Sequence, residues 1–179
     1  WLRHKSDQEW RIAASQILHG IDPLAQPLKA VVRKGIDVLT APVTLQGAFR
    51  IPRLFPVSGV FSFTAIPSPN LPDGLKTCLE TRQGPLMISR KSTDILEEKI
   101  IFPEGTRVLH YPASTGGKLK ALEWKITFSV HKNSILFRRV LQLNRGILYP
   151  RTASYFRFLK VLKNLTRPSA RLIIFEKTH

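Results

Sequence analysis

Residues 124–130 leave little choice of local structure. Trp124, Ile126, Phe128 and Val130 alternate with Lys125, Thr127 and Ser129. A period of two puts the four apolar side chains on one face of an extended strand and the polar ones on the other, whereas a helix would scatter them around its axis. Lys132-Asn133-Ser134 follows as a turn, and residues 135–143 return as a second apolar strand. The pattern predicts a β-hairpin with one buried face.

Further short strand signals run through the chain. Residues 28–32, 36–39 and 43–51 are apolar segments set among Pro27, Pro42 and Pro52. In residues 59–66, Phe61, Phe63 and Ala65 oppose Ser62 and Thr64, again the mark of a half-buried strand. Residues 67–74 hold three prolines, Asn70 and Asp73-Gly74, the composition of a loop. Residues 75–81 and 86–89 read as strands, and residues 100–102 and 107–111 flank a turn at Pro103-Glu104-Gly105.

Two segments read as helix. Ser6-Asp7-Gln8-Glu9 is a capping box, in which serine and glutamate satisfy each other's orphan backbone donors. Trp10, Ala13, Ala14 and Ile17 follow at helical spacing and Gly20 closes the pattern, predicting a helix over 7–18. Residues 154–165 carry Phe158, Leu159, Leu162 and Leu165 on one side, and residues 170–175 form a last apolar strand. The expected fold is all-β, mainly an antiparallel β-sandwich, with one short helix near each end. The expected organisation is a helical lead-in, residues 1–20, followed by a β-sandwich domain, residues 21–179.

Hydrophobic residues make up 43% of the chain, enough for a core. The apolar runs are too short to span a bilayer. The chain opens at Trp1 with no signal-like segment, which suits a fragment or a processed product. The net charge of +16 invites an acidic partner, an anionic surface or nucleic acid. The basic residues occur only in short clusters, Arg3-His4-Lys5, Arg33-Lys34, Arg90-Lys91 and Arg138-Arg139, which read as solvated strand faces.

Candidate chemistry is sparse. Phe102-Pro103-Glu104-Gly105-Thr106-Arg107 resembles the phosphate-binding motif of glycerolipid acyltransferases. Those enzymes also need an upstream histidine with an aspartate five positions on, and after His4 and His19 stand Glu9 and Leu24. The string is therefore expected to be a turn. Cys78 lies in a strand-like context with no neighbouring histidine, so it reads as structural. As the only cysteine it excludes an internal disulfide or a cysteine zinc site. His4, His19, His110, His131 and His179 lack metal-ligand spacing. Asp22, Asp37, Asp73 and Asp94 do not fall into carboxylate pairs. Phe156 and Phe158, with Arg157 and Lys160, could form a basic aromatic surface for a polymer, but helical spacing favours core plus a solvated face. Trp10 and Trp124 read as core. No catalytic, cofactor-binding or metal-binding residue is expected.

The ordered set of local strings resembles the C-terminal region of bacterial transglutaminase-like proteins, which carry a papain-like core between β domains. The strings are Glu9-Trp10-Arg11, Asp37-Val38-Leu39-Thr40-Ala41-Pro42-Val43, Arg82-Gln83-Gly84-Pro85-Leu86, Phe102-Pro103-Glu104-Gly105 through Tyr111-Pro112, Pro150 through Phe158, and residues 172–176. The resemblance implies a non-catalytic accessory domain that supports the enzymatic core upstream of it or binds an acidic polymer or protein. It also implies a periplasmic or cell-envelope location and carries no catalytic residue onto this chain. The alternative from charge alone is a basic nucleic-acid-associated protein, such as an organellar ribosomal component.

Overall fold

The computed structural model describes residues 6–21, 24–35, 41–51, 59–64 and 82–177. The strands expected at 36–39 and 75–81, the loop at 67–74, and His4, Asp22, Asp37, Asp73, Cys78 and His179 lie outside the described residues. Two compact units make up the chain, Trp1–Pro56 and Val57–His179.

In the first unit, helix α1 spans Asp7–Ile21. The capping box forms as expected. The Glu9 amide donates to Ser6 Oγ at 3.3 Å, and the Ser6 amide donates to Glu9 Oε2 at 2.8 Å. Trp10 and Ala13 are buried. Strands β1 (Gln26–Lys34) and β2 (Thr44–Arg50) pair antiparallel, so the helix expected as a separate lead-in shares its unit with a strand pair. Gly35 carries φ +74°, and a Cβ there would meet the Pro42 carbonyl oxygen; only glycine fits that approach. Arg33 ties the helix to β1. Its guanidinium lies 5.4 Å from the Trp10 ring centroid and 2.9 Å from Asp7 Oδ1.

The second unit is built on a four-stranded sheet of order β5-β9-β8-β7. Its strands are β5 (Ser92–Ile101), β7 (Thr115–Lys118), β8 (Leu122–His131) and β9 (Ser134–Leu143). The expected hairpin is β8–β9. Lys132-Asn133 turns between paired His131 and Ser134, with Lys132 at φ 38°. Leu122, Ile126 and Phe128 on β8 and Ile135, Phe137, Leu141 and Leu143 on β9 are buried. They share one face, with Phe128 opposite Phe137 and Leu122 opposite Leu143.

A three-stranded sheet, β3-β11-β6, holds β3 (Gly59–Thr64), β6 (Thr106–His110) and β11 (Leu172–Lys177). Aromatic contacts join it to the larger sheet. Phe102, at the end of β5, lies 5.1 Å from Phe175 of β11. Phe175 lies 5.7 Å from Phe61 of β3. Phe128 lies 5.0 Å from Phe137 and 6.4 Å from Tyr111, which follows β6. A third, two-stranded sheet pairs β4 (Leu86–Ile88) with β10 (Gly146–Leu148). Among the described residues every strand pairing is antiparallel. The architecture is the expected sandwich-like, mostly antiparallel one.

Helix α2 spans Ala153–Thr166 and is capped by Thr152, whose Oγ1 accepts from the Tyr155 amide at 3.3 Å. Tyr155, Phe158, Leu162 and Leu165 are buried, as i, i+3, i+7, i+10 spacing requires. Pro168 then opens a 3-10 turn, Pro168–Arg171, that leads into β11. No described helix is long and apolar enough to cross a membrane.

Candidate functional site

The acyltransferase-like string is a turn that carries the chain from one sheet to another. β5 ends at Ile101 beside β9, and β6 starts at Thr106 beside β11. Gly105 takes φ +76°, a conformation in which a Cβ is strained. Phe102 is 2% exposed, in the core. Arg107 faces its cross-strand partner Glu176 in an ion pair at 2.9 Å. The string thus supplies a core aromatic, a turn and a strand-to-strand ion pair. His110 and His131 are exposed, and among the described residues no group of histidine, cysteine, aspartate and glutamate could hold a metal ion.

The unanticipated feature is a charged cluster on the inner face of the large sheet. The reading of Arg138-Arg139 as a solvated pair holds for Arg138, which is exposed and lies 3.4 Å from Glu97. It fails for Arg139, only 4% exposed. The cause is strand periodicity: Ile135, Phe137, Arg139, Leu141 and Leu143 point the same way. Arg139 Nη2 donates to Asp94 Oδ2 at 2.6 Å, while its Nε is buried without a hydrogen-bond partner among the described residues. Arg171, from the 3-10 turn, is also buried. Its guanidinium is held below its usual pKa by burial first and by Arg139 second, and Glu98 opposes both.

The local pattern could have disclosed Arg139, since its parity within β9 matches the buried residues on either side. Asp94 and Glu98 share a face of β5 but lie four strand residues apart, about 13 Å along the strand. That is beyond the spacing of a two-carboxylate hydrolytic pair. Guanidinium groups do not exchange protons in proteins, so the cluster acts as an ionic clamp. It binds β5 to β9 and brings the entry to β11 alongside.

A shallow cleft of about 450 Å³ runs along β7, lined among others by Ser114, Gly117, Lys118, Trp124 and Lys125. Trp124, expected as core, is only half-buried. Its indole lies so close to Gly117 that a Cβ there would stand 2.6 Å from the ring. Ser114 Oγ accepts from the Phe128 amide, and Lys118 lies 3.5 Å from Glu123. Ser114, Lys118 and Glu123 of the cleft are therefore engaged with the sheet itself.

The helix carrying Phe156 and Phe158 divides into core and solvated face, as its spacing favours. Phe158 is core, at 1% exposed, while Phe156 is 57% exposed beside exposed Arg157 and Lys160. Near the start of the same helix, Tyr149 is 58% exposed, and Met87 and Ile147 form an exposed cross-strand pair on the β4–β10 ladder. The other face of that ladder is buried through Leu86, Ile88 and Leu148.

Comparison with known proteins gives three results. Residues 60–175 match a family described as a Domain of Unknown Function with solved-structure structure (DUF3858). The fold is similar to part of a crystal structure from Parabacteroides distasonis, named as a candidate protease, at a TM-score of 0.51 and 14% sequence identity. The match covers 66% of this chain but only 23% of that one. No curated protein matches the sequence.

Proposed function

The chain belongs to the DUF3858 family, and we propose that it is a non-catalytic accessory domain of a larger transglutaminase-like protein. Its work is to support the enzymatic domain upstream of it or to hold an acidic partner. The observation that carries this reading is that a similar fold occupies 23% of a larger chain, where it is one segment among others. The ordered strings from Glu9-Trp10-Arg11 to the last strand support the transglutaminase-like assignment. The engaged state of the buried charges supports a structural role, since Arg139 and Arg171 sit where catalysis offers them no substrate access. A periplasmic or cell-envelope location goes with the same reading.

An activity assay tests it. The purified 179-residue chain should neither incorporate a labelled amine into glutamine-bearing casein nor release amine from peptide amides above background. Cys78→Ala should leave that outcome unchanged. A rate that Cys78→Ala removes would establish a cysteine nucleophile and end the accessory reading.

A further inference from the structure

Residues 124–175 contain eleven lysines and arginines and no aspartate or glutamate. This stretch includes β10 and all of α2. On α2 the exposed residues include Phe156, Arg157 and Lys160. The buried side of the helix is complete with Tyr155, Phe158, Leu162 and Leu165, so Phe156 is not needed by the core.

Two backbone turns link this helix to the β4–β10 ladder. The Tyr149 carbonyl accepts from the Thr152 amide and hydroxyl, and the Thr152 carbonyl accepts from the Phe156 amide. Upstream of that link stands the exposed Met87–Ile147 pair. Exposed basic residues flank the segment in sequence: Arg90 and Arg145 stand next to one end of the ladder, Arg151 lies between β10 and α2, and Arg157 is on α2.

We propose that the Met87–Ile147 pair, Tyr149 and the Phe156–Lys160 face of α2 form a docking surface for an acidic protein segment that carries apolar side chains. This assigns a place to the acidic partner of the proposed function and rests on that reading. Two features select the occupant. The cations, unrelieved by any carboxylate on β10 or α2, call for an acidic partner by charge complementarity. The anchors among them are methionine, isoleucine, tyrosine and phenylalanine. With arginine, these aromatic and thioether groups are the ones enriched where protein meets protein. A nucleic-acid or glycan polyanion would use the cations and leave the Met87–Ile147 pair in water.

Two labelled peptides of equal length and equal glutamate content serve as probes. One has leucine and phenylalanine between the glutamates, the other serine and glycine. Fluorescence anisotropy against the 179-residue chain at physiological ionic strength should find the apolar acidic peptide bound about tenfold tighter, roughly 1.4 kcal/mol. Phe156→Ser and Met87→Ser should each remove most of that preference without moving Tm, because both side chains are exposed. Arg157→Gln should weaken both peptides alike. Equal binding of the two peptides, or a preference that survives both serine substitutions, overturns the docking surface. RNA or heparin bound tighter than the apolar acidic peptide overturns it in favour of a polyanion surface. Failure here leaves the accessory role standing, because that role is decided by the amine-incorporation assay.

Discussion

Phe175→Ala should cost about 3–5 kcal/mol of folding stability, the range for removing a fully buried phenylalanine without collapse of the site. Phe175 is 1% exposed and holds the three-stranded sheet to the larger one through Phe102, at 5.1 Å, while touching Phe61 on its own sheet at 5.7 Å. These contacts come from three separate stretches of chain, so no single side-chain movement can fill the space left behind. A domain of this size is stable by about 5–15 kcal/mol, so the variant should lose a large share of the total. Urea denaturation followed by tryptophan fluorescence would show a lower midpoint at an unchanged slope. A loss below about 1 kcal/mol would mean that the two sheets are not packed through this residue.

The second large effect concerns the ionic clamp. Asp94→Asn leaves the buried Arg139 guanidinium beside Arg171 without its 2.6 Å carboxylate partner. Breaking a buried pair from one side costs about 3–5 kcal/mol, and the partial exposure of Asp94, 41% for its side chain, brings the expected loss to about 2–3 kcal/mol. The double change Asp94→Leu with Arg139→Met should recover most of that loss, since apolar replacement removes the desolvation penalty together with the attraction. Thermal denaturation of the wild type, the single variant and the double variant decides the matter. A single variant as stable as the wild type would show that Asp94 does not compensate Arg139. A double variant no better than the single one would show that the clamp contributes more than charge compensation.

Much of the fold was legible because its local signals were redundant. The alternation of Trp124 through Val130 and the return over residues 135–143 describe β8 and β9 almost to their ends. The Ser6–Glu9 capping box marks the start of α1, and Phe158, Leu162 and Leu165 mark the buried side of α2. What was hidden is non-local or runs against propensity. β5 carries Asp94, Glu97, Glu98 and Lys99, residues depleted in strands; its ten-residue pairing with β9 overrides them, and only its last residues read as strand. β7 is built around Gly116-Gly117, and the absent side chain of Gly117 makes room for the Trp124 ring, so it has no apolar pattern to read. β4 was read as the strand at 86–89, but β10 is only three residues long, and its pairing with β4 joins distant parts of the chain, which no local window reports.

The candidate site was less legible than the fold. The turn at Pro103-Glu104-Gly105 was read correctly, but its passage between two sheets was not, because hairpins and crossovers share the same turn residues. Arg139 was grouped with Arg138 as a basic dipeptide, although the parity of β9 places one outside and the other in the core. For Phe156 and Phe158 helical spacing favoured core plus a solvated face, and the structure agrees: two positions on a helix differ by about 200° around the axis, which sends Phe156 to solvent and Phe158 inward.

The assignment as one segment of a larger transglutaminase-like protein is tested most directly on the natural polypeptide. An antibody against the 179-residue chain would isolate it from its source cells, and mass spectrometry with peptide sequencing would read what is joined to Trp1. The expected result is a single, considerably longer chain with a papain-like core bearing cysteine, histidine and aspartate on the N-terminal side. A natural polypeptide that lacks such a core would contradict the proposal.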